Sequence, residues 1–199
     1  SLHDALPILA RIRTMIGDAL GGKIKLVPQL AARPLARPRA EAFTVRPRVV
    51  FDNNFRPKLW PSLEVAQQVY REAFSVCHTA MITLDDHQAI FAKPHLDDAL
   101  RHAQSLDIPE VLIKRGADNT LVREAMSAPW QSIATERVER VIDTTAAGDS
   151  FAAGYLSRRL LGESAVASAA FGNRLAARVI QHRGALIPET AMADLASQP

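Results

Sequence analysis

The sequence predicts an α/β fold with a largely parallel sheet. Short apolar runs end in polar clusters, stretches of helical periodicity separate those runs, and the unit then repeats. The composition agrees: 199 residues with 48% hydrophobic, 23% charged and 6% aromatic describe a globular chain, not a disordered, collagen-like or disulfide-stapled one. That length suits one domain, or a domain plus an appendage.

The first quarter stands apart. Residues 1–48 carry 9 Lys and Arg against 3 Asp and Glu, whereas the remainder carries 15 against 18, so the chain's net +3 belongs wholly to its front. Five of the 12 prolines also fall there (Pro7, Pro28, Pro34, Pro38, Pro47). Leu6, Leu9, Ile12, Ile16 and Leu20 predict a helix over about residues 5–20, stopped by Gly21 and Gly22. Residues 33–48 show no strand or helix periodicity. Residues 1–47 therefore read as a basic, Pro- and Arg-rich segment, and 48–199 as the folded unit.

Val49, Val50 and Phe51 form a buried-strand run ending in Asp52, Asn53 and Asn54. A helix follows over about 62–73, with Ser62 as N-cap and Glu64 in its first turn. A second run, Ala80 to Leu84, ends in Asp85 and Asp86; a helix over 95–106 leads to Val111–Ile113, tipped by Lys114, Arg115 and Gly116. A short strand over 120–123 comes next, then one over 138–142, and helices to about Leu161 and over about 164–181. Ligands of such sheets sit beyond the strands' carboxyl ends, where Asn54, Arg56, Asp85, Asp86, Lys114 and Gly116 fall.

The turn over 143–149, Asp-Thr-Thr-Ala-Ala-Gly-Asp, is the most informative stretch. A strand passing through small residues into a helix presents unpaired N–H groups, reinforced by the helix dipole, which suits a phosphate. Asp149 in the first helical turn either accepts a proton from an attacking hydroxyl or merely stabilises the helix N-terminus.

With Phe151 and Gly154 added, this turn resembles the second signature, D-T-x-G-A-G-D-x-F-x-x-G, of the ribokinase (PfkB) family of carbohydrate kinases. Ala146 stands where the family usually has its first glycine, a variant similar to the branch acting on 2-keto-3-deoxygluconate. The run from Phe51 to Trp60 resembles that branch's D-x-N-x-R-P-x-L-W element, which fructokinases share, and Ile113 to Asp118 resembles its K-R-G-A-D segment. The likeness spans roughly residues 48–192.

The resemblance implies a ribokinase-like three-layer α/β/α sandwich with a mostly parallel sheet, lacking the N-terminal part and the lid. It implies phosphorylation by ATP, with Mg²⁺, of a sugar acid: 2-keto-3-deoxygluconate to its 6-phosphate, in Entner-Doudoroff-type breakdown. Asp149 would be the general base, and the N–H groups of Ala146, Ala147 and Gly148 the anion hole. Arg56 would grip the substrate carboxylate, as guanidinium does bidentately. Asn54, Lys114, Gly116, Ala117, Asp118 and Asn173 fall at ATP-side positions, Asn173 being equally a structural amide on a packed helix. Asp85 and Asp86 stand at the magnesium-linked N-x-x-E element, which here reads Asp-Asp-His-Gln without the final acid. Asn119 replaces a usual glycine.

Nothing in residues 1–47 resembles the family's glycine-rich sugar-binding element or lid, and the chain starts at Ser1. A truncated or mis-assembled product with a partly foreign front is expected, and an intact start codon before Ser1 would refute it. The alternatives are a fructokinase or other sugar kinase of the same family, and a non-catalytic nucleotide-binding fragment. The basic front has no aromatic interleaving or recognisable nucleic-acid module. No apolar run is long enough to span a membrane, and the six histidines lack ligand spacing. One cysteine, Cys77, read as an inert core thiol, makes a reducing, cytoplasmic setting the expectation; a homo-oligomer is left open. Trp60 and Trp130 read as packing residues.

Overall fold

A computed structural model describes residues 49–196. The helix expected over 5–20, and with it the segment 1–47, lies outside the described residues.

Strand β1 (Val50–Asp52) leads through a 3₁₀ turn (Pro57–Leu59) to helix α1 (Leu63–Val76). Ser62 caps α1 as expected, its hydroxyl accepting the Val65 N–H at 3.3 Å. Strand β2 (Thr79–Thr83) passes directly into α2 (Leu84–Phe91), and α3 (Leu96–Gln104) returns the chain to β3 (Glu110–Arg115). The glycine turn at 116–117 sends β4 (Asp118–Arg123) back beside β3, and β5 (Gln131–Ile133) follows. Helices α4 (Ala147–Leu160) and α5 (Ala165–Val179) close the unit, followed by a 3₁₀ turn (Glu189–Met192) and the short α6 (Ala193–Ala196).

The sheet order is β1-β2-β3-β4-β5, with β1, β2 and β3 parallel and β4 and β5 antiparallel to their neighbours. Strand residues alternate between two cores. Ala80, Ile82, Val111 and Ile113 face α1, α2 and α3, packing with Tyr70, Phe74 and Ile90. Met81, Leu112 and Val122 face α4 and α5, packing with Phe151, Tyr155 and Ala169. The sandwich is therefore three-layered, as expected.

Two expectations need correcting. Residues 138–142 form no strand: Ile142 donates its N–H to the Ile180 carbonyl on the end of α5 at 2.8 Å, so the backbone is satisfied by a helix terminus and Val141 and Ile142 stay exposed. Asp85 and Asp86 are not a polar tip after β2 but lie in the first turn of α2, where their charge favours the helix dipole.

Trp60 and Trp130 do pack, Trp60 against Tyr70 and Trp130 under the Arg123 guanidinium. Cys77 is buried, and burial pushes its thiol up to about 11.

Helices α4 and α5 meet through glycine. A Cβ on Gly154 would lie 3.1 Å from the Gly172 Cα, and one on Gly172 would lie 2.8 Å from the Phe151 carbonyl oxygen. Gly172→Ala is expected to destabilise the protein by about 1–2 kcal/mol in chemical denaturation, overpacking outweighing the ~1 kcal/mol that alanine gains inside a helix.

Candidate active site

The carboxyl ends of β1, β2 and β3 are laced together by polar side chains. Asn53 is buried, and its amide clamps β2: Nδ2 donates to the Thr83 carbonyl at 2.9 Å and Oδ1 accepts the Thr83 N–H at 2.8 Å. The Tyr70 hydroxyl donates to the Asn53 carbonyl. Asp86 accepts the Phe55 N–H at 3.0 Å, while the Phe55 ring is buried in the core beside Trp60. The loop carrying Asn54 and Arg56 is thus fixed by its neighbours and leaves those two side chains exposed. Arg56 donates to the Phe55 carbonyl at 3.0 Å. Burial holds the Asp86 carboxyl above its usual range, against the opposing pull of the Phe55 N–H and Arg56.

Lys114 reaches across from β3 to Asp52 at the end of β1, Nζ to Oδ2 2.7 Å. The ammonium sits 5.9 Å from the Phe151 ring centroid and beneath the backbone of Gly148, 3.6 Å from where a Cβ would be. This ion pair therefore lies against the first turn of α4. Asp52, Asn53 and Tyr70 were not singled out from the sequence as site residues; Asp52 and Asn53 were legible only as the polar end of an apolar run.

Asp143 ties the turn at 143–149. Its Oδ1 accepts the Thr145 N–H at 2.8 Å and its Oδ2 the Gly184 N–H at 2.8 Å. The Ile180 carbonyl takes the N–H groups of Ile142 and Asp143. The Thr145 hydroxyl and the Gly184 and Thr145 N–H groups hold the Asp143 carboxyl down to about 2. Ala146, the N-cap of α4, is left-handed at φ 61°, which explains why this position suits glycine.

Of the three N–H groups expected to form an anion hole, that of Ala147 is spent on the Thr144 carbonyl at 3.2 Å. Those of Ala146 and Gly148 have no hydrogen-bond partner among the described residues. Asp149 is exposed in the first turn of α4.

A cleft of about 700 Å³ opens beside this turn and shares Thr144 and Ala147 with it. Gly116, Ala117, Asn119 and Asn173 line it. Asn54, Lys114 and Asp118 are not among its lining residues. Asn173 is a wall-holder: its Oδ1 accepts from the Thr120 hydroxyl at 2.9 Å and its Nδ2 donates to the Ala134 carbonyl at 3.1 Å. The rest of the wall comes from residues 135–138, Val141 and, from the α5 side, Ala176, Ala177 and Ile180; of these only Val138 and Val141 fall in the stretch whose sequence suggested a strand. Asp85 and Asp86 belong to no group of three metal-ligating side chains among the described residues.

Two outcomes follow for the turn. Ala146→Gly should stabilise the protein by about 0.5–1 kcal/mol, relief of the left-handed alanine exceeding the entropy glycine loses; thermal melts would measure it. Asp143 is depressed in the folded state, so its contribution is complete above about pH 4 and disappears as pH falls toward 2. The melting-temperature difference between wild type and Asp143→Asn should be constant from pH 5 to 7 and shrink below pH 4.

Residues 39–192 match the family model described as pfkB family carbohydrate kinase. The 2-dehydro-3-deoxygluconokinase of Escherichia coli K12 is 46% identical over 146 residues, which are 73% of this chain and 47% of that protein. The chain thus spans about half the length of the curated kinases it matches. Aminoimidazole riboside kinase from Salmonella enterica, solved with aminoimidazole riboside and an ATP analogue, superposes with a TM-score of 0.60 at 24% identity, over 72% of this chain and 50% of that one. A separate likeness is to the bifunctional uridylyltransferase/uridylyl-removing enzyme of Novosphingobium aromaticivorans, 67% identical over 52 residues, 26% of this chain and 6% of that protein. With residues 39–192 matching the family model, the chain belongs to the pfkB family of carbohydrate kinases.

Proposed function

We propose that this chain is the C-terminal part of an ATP-dependent sugar-acid kinase that converts 2-keto-3-deoxygluconate to its 6-phosphate. The observation that carries this reading is the shared wall: Thr144 and Ala147 belong both to the tied turn before Asp149 and to the 700 Å³ cleft. A nucleotide in that cleft would bring its terminal phosphate to the N-terminus of α4, where backbone N–H groups and the helix dipole favour negative charge. The relatives named for 2-dehydro-3-deoxygluconate support the substrate, and the neighbour solved with an ATP analogue supports the nucleotide.

In this reading the substrate hydroxyl oxygen attacks the γ-phosphorus. The new O–P bond forms as the bond to the β–γ bridging oxygen breaks, and ADP leaves. The Asp149 carboxylate receives the hydroxyl proton, and the Ala146 and Gly148 N–H groups meet charge on the transferring phosphoryl oxygens. Arg56, exposed on a loop fixed by Asn53 and Asp86, would take the substrate carboxylate. Asn54, Lys114, Gly116, Ala117, Asp118 and Asn173 remain nucleotide-side assignments, of which Gly116, Ala117 and Asn173 have the support of lining the cleft. Asp86 spends a carboxylate oxygen on the Phe55 N–H, so Asp85 and Asp86 do not make a magnesium cage of their own. An ion carried by the phosphates would suit the site better.

A second reading has its own observation. The 52-residue likeness to a uridylyltransferase is longer than either stretch outside the family match, residues 1–38 or 193–199, so the two likenesses share residues. The charge reversal near residue 48 supports placing it at the front, as a foreign segment joined to a kinase remnant. The remnant would bind nucleotide without turnover.

The test is ADP release by the 199-residue chain with MgATP and 2-keto-3-deoxygluconate. Turnover that Asp149→Asn lowers by at least ~10³-fold upholds the kinase reading. A folded protein that binds ATP without turnover upholds the second. In an active protein, Arg56→Ala should cost a keto-acid substrate ~10²-fold or more in kcat/KM and a neutral sugar far less, since only the keto acid has a carboxylate that would be left without its charge-assisted partner.

A further inference from the structure

The loop that carries Arg56 rests, on both sides of that residue, against one side chain of α1. Tyr70 is buried, and its ring meets Phe55 at 5.9 Å and Trp60 at 5.5 Å between centroids. Phe51 of β1 and Phe74 of α1 complete its surroundings at 5.6 Å and 6.4 Å. The hydroxyl donates to the carbonyl of Asn53, which accepts no other bond among the described residues. Tyr70 thus touches the residue before Arg56, one four places after it, and by its hydroxyl one three places before it.

The two kinds of contact do different things. Ring packing is non-directional and leaves neighbouring rings free to slide, whereas a hydroxyl bonded to a carbonyl fixes distance and angle. Asn53 is itself fully buried, so removing the hydroxyl would strand its carbonyl away from water. Burial, reinforced by Asp86 and Asp52 and opposed by Arg56, raises the phenol above its ordinary value, and the hydroxyl keeps the proton it donates. Arg56 in turn donates from its guanidinium to the Phe55 carbonyl at 3.0 Å, and its own carbonyl accepts the Leu59 N–H at 3.0 Å. The aim of the guanidinium therefore follows the peptide units of residues 53–56.

We propose that Tyr70 is a positioning residue for Arg56: its hydroxyl, acting through the Asn53 carbonyl, holds the loop where the guanidinium meets the carboxylate of a sugar acid. This role rests on the sugar-acid kinase reading above. Tyr70 is not a catalytic residue, because its hydroxyl is spent on the backbone behind the loop.

Tyr70→Phe in the 199-residue chain removes the hydroxyl and keeps the ring. The KM for 2-keto-3-deoxygluconate should rise about tenfold, while kcat and the KM for ATP stay unchanged, as for a contact made equally in ground and transition states. The Phe55 amide should exchange with solvent about tenfold faster. In an Arg56→Ala background Tyr70→Phe should raise the keto-acid KM no further. Ile108→Val, in the core just before β3 and so at the other end of the sheet, lowers global stability and should leave both readouts at their wild-type values. Unchanged Phe55 exchange in Tyr70→Phe overturns the proposal. So does an equal loss for keto acid and ATP, or an undiminished effect without Arg56, either of which marks a general structural role. If the wild type neither binds nor turns over the keto acid, the kinase reading fails by itself. The hold of Tyr70 on the Arg56 loop is then decided by Phe55 exchange, faster in Tyr70→Phe upholding it and unchanged overturning it.

Discussion

The backbone contact between Gly154 and Gly172 governs how the site is built. It lets α4 and α5 approach until Phe151 lies across Gly172, and so sets where α4 runs under the sheet. Helix α4 is then pinned along β3. Near its end Arg159 pairs with the buried Glu110, the first residue of β3, at 2.6 Å, and Glu110 also accepts the Thr79 hydroxyl at 2.8 Å. At its beginning Gly148 rests over Lys114 near the end of the same strand. Gly148 and Arg159 are ~16 Å apart along a helix, and Glu110 and Lys114 ~13 Å along a strand. Helix and strand thus run in opposite senses, which brings the positive end of the helix dipole to the carboxyl end of the sheet.

That juxtaposition decides the electrostatics. The ends of β1 to β3 hold two acids, Asp52 and Asp86, and two cations, Arg56 and Lys114, in one neighbourhood. Lys114 is already neutralised by Asp52, so the positive character available to an incoming anion comes chiefly from the N-terminus of α4 and from Arg56. Backbone dipoles fixed before a ligand arrives need no reorganisation, the condition under which such groups stabilise developing charge best. The Asn53 clamp serves the same end: it removes freedom from the Arg56 loop without occupying the guanidinium.

Much of this was legible in the sequence. Ser62 caps its helix with its hydroxyl, and apolar runs at 80–82 and 111–113 are strands buried on both faces. The turn at 143–149 opens a helix where its small residues suggested. What was illegible depends on partners distant in sequence. Val138 to Ile142 has strand-like composition, but its last N–H, that of Ile142, finds the Ile180 carbonyl rather than a neighbouring strand. Residues 135–138 line the cleft only because β5 ends beside α5, and the Thr135 hydroxyl bonds the Ala117 carbonyl at 2.6 Å. Asn53 and Asp143 look like ordinary loop polars until the structure brings Thr83 and Gly184 to them.

Ala146 shows how local strain and long-range ties are coupled. A left-handed alanine costs ~1–2 kcal/mol and persists only where its surroundings over-determine the backbone. Here the surroundings do so: Asp143 holds the turn from inside and from Gly184, the Ile180 carbonyl holds the segment entering the turn, and Ser150 donates to the Ala146 carbonyl at 2.8 Å to start the helix. Apart from the Asp143–Thr145 bond inside the turn, each tie ends on α4 or on residues just after α5, so the glycine-mediated helix contact bears on the tolerance of alanine at 146. Loosening the α4–α5 contact would release the turn before it released either core, because the turn has no buried apolar side chain of its own.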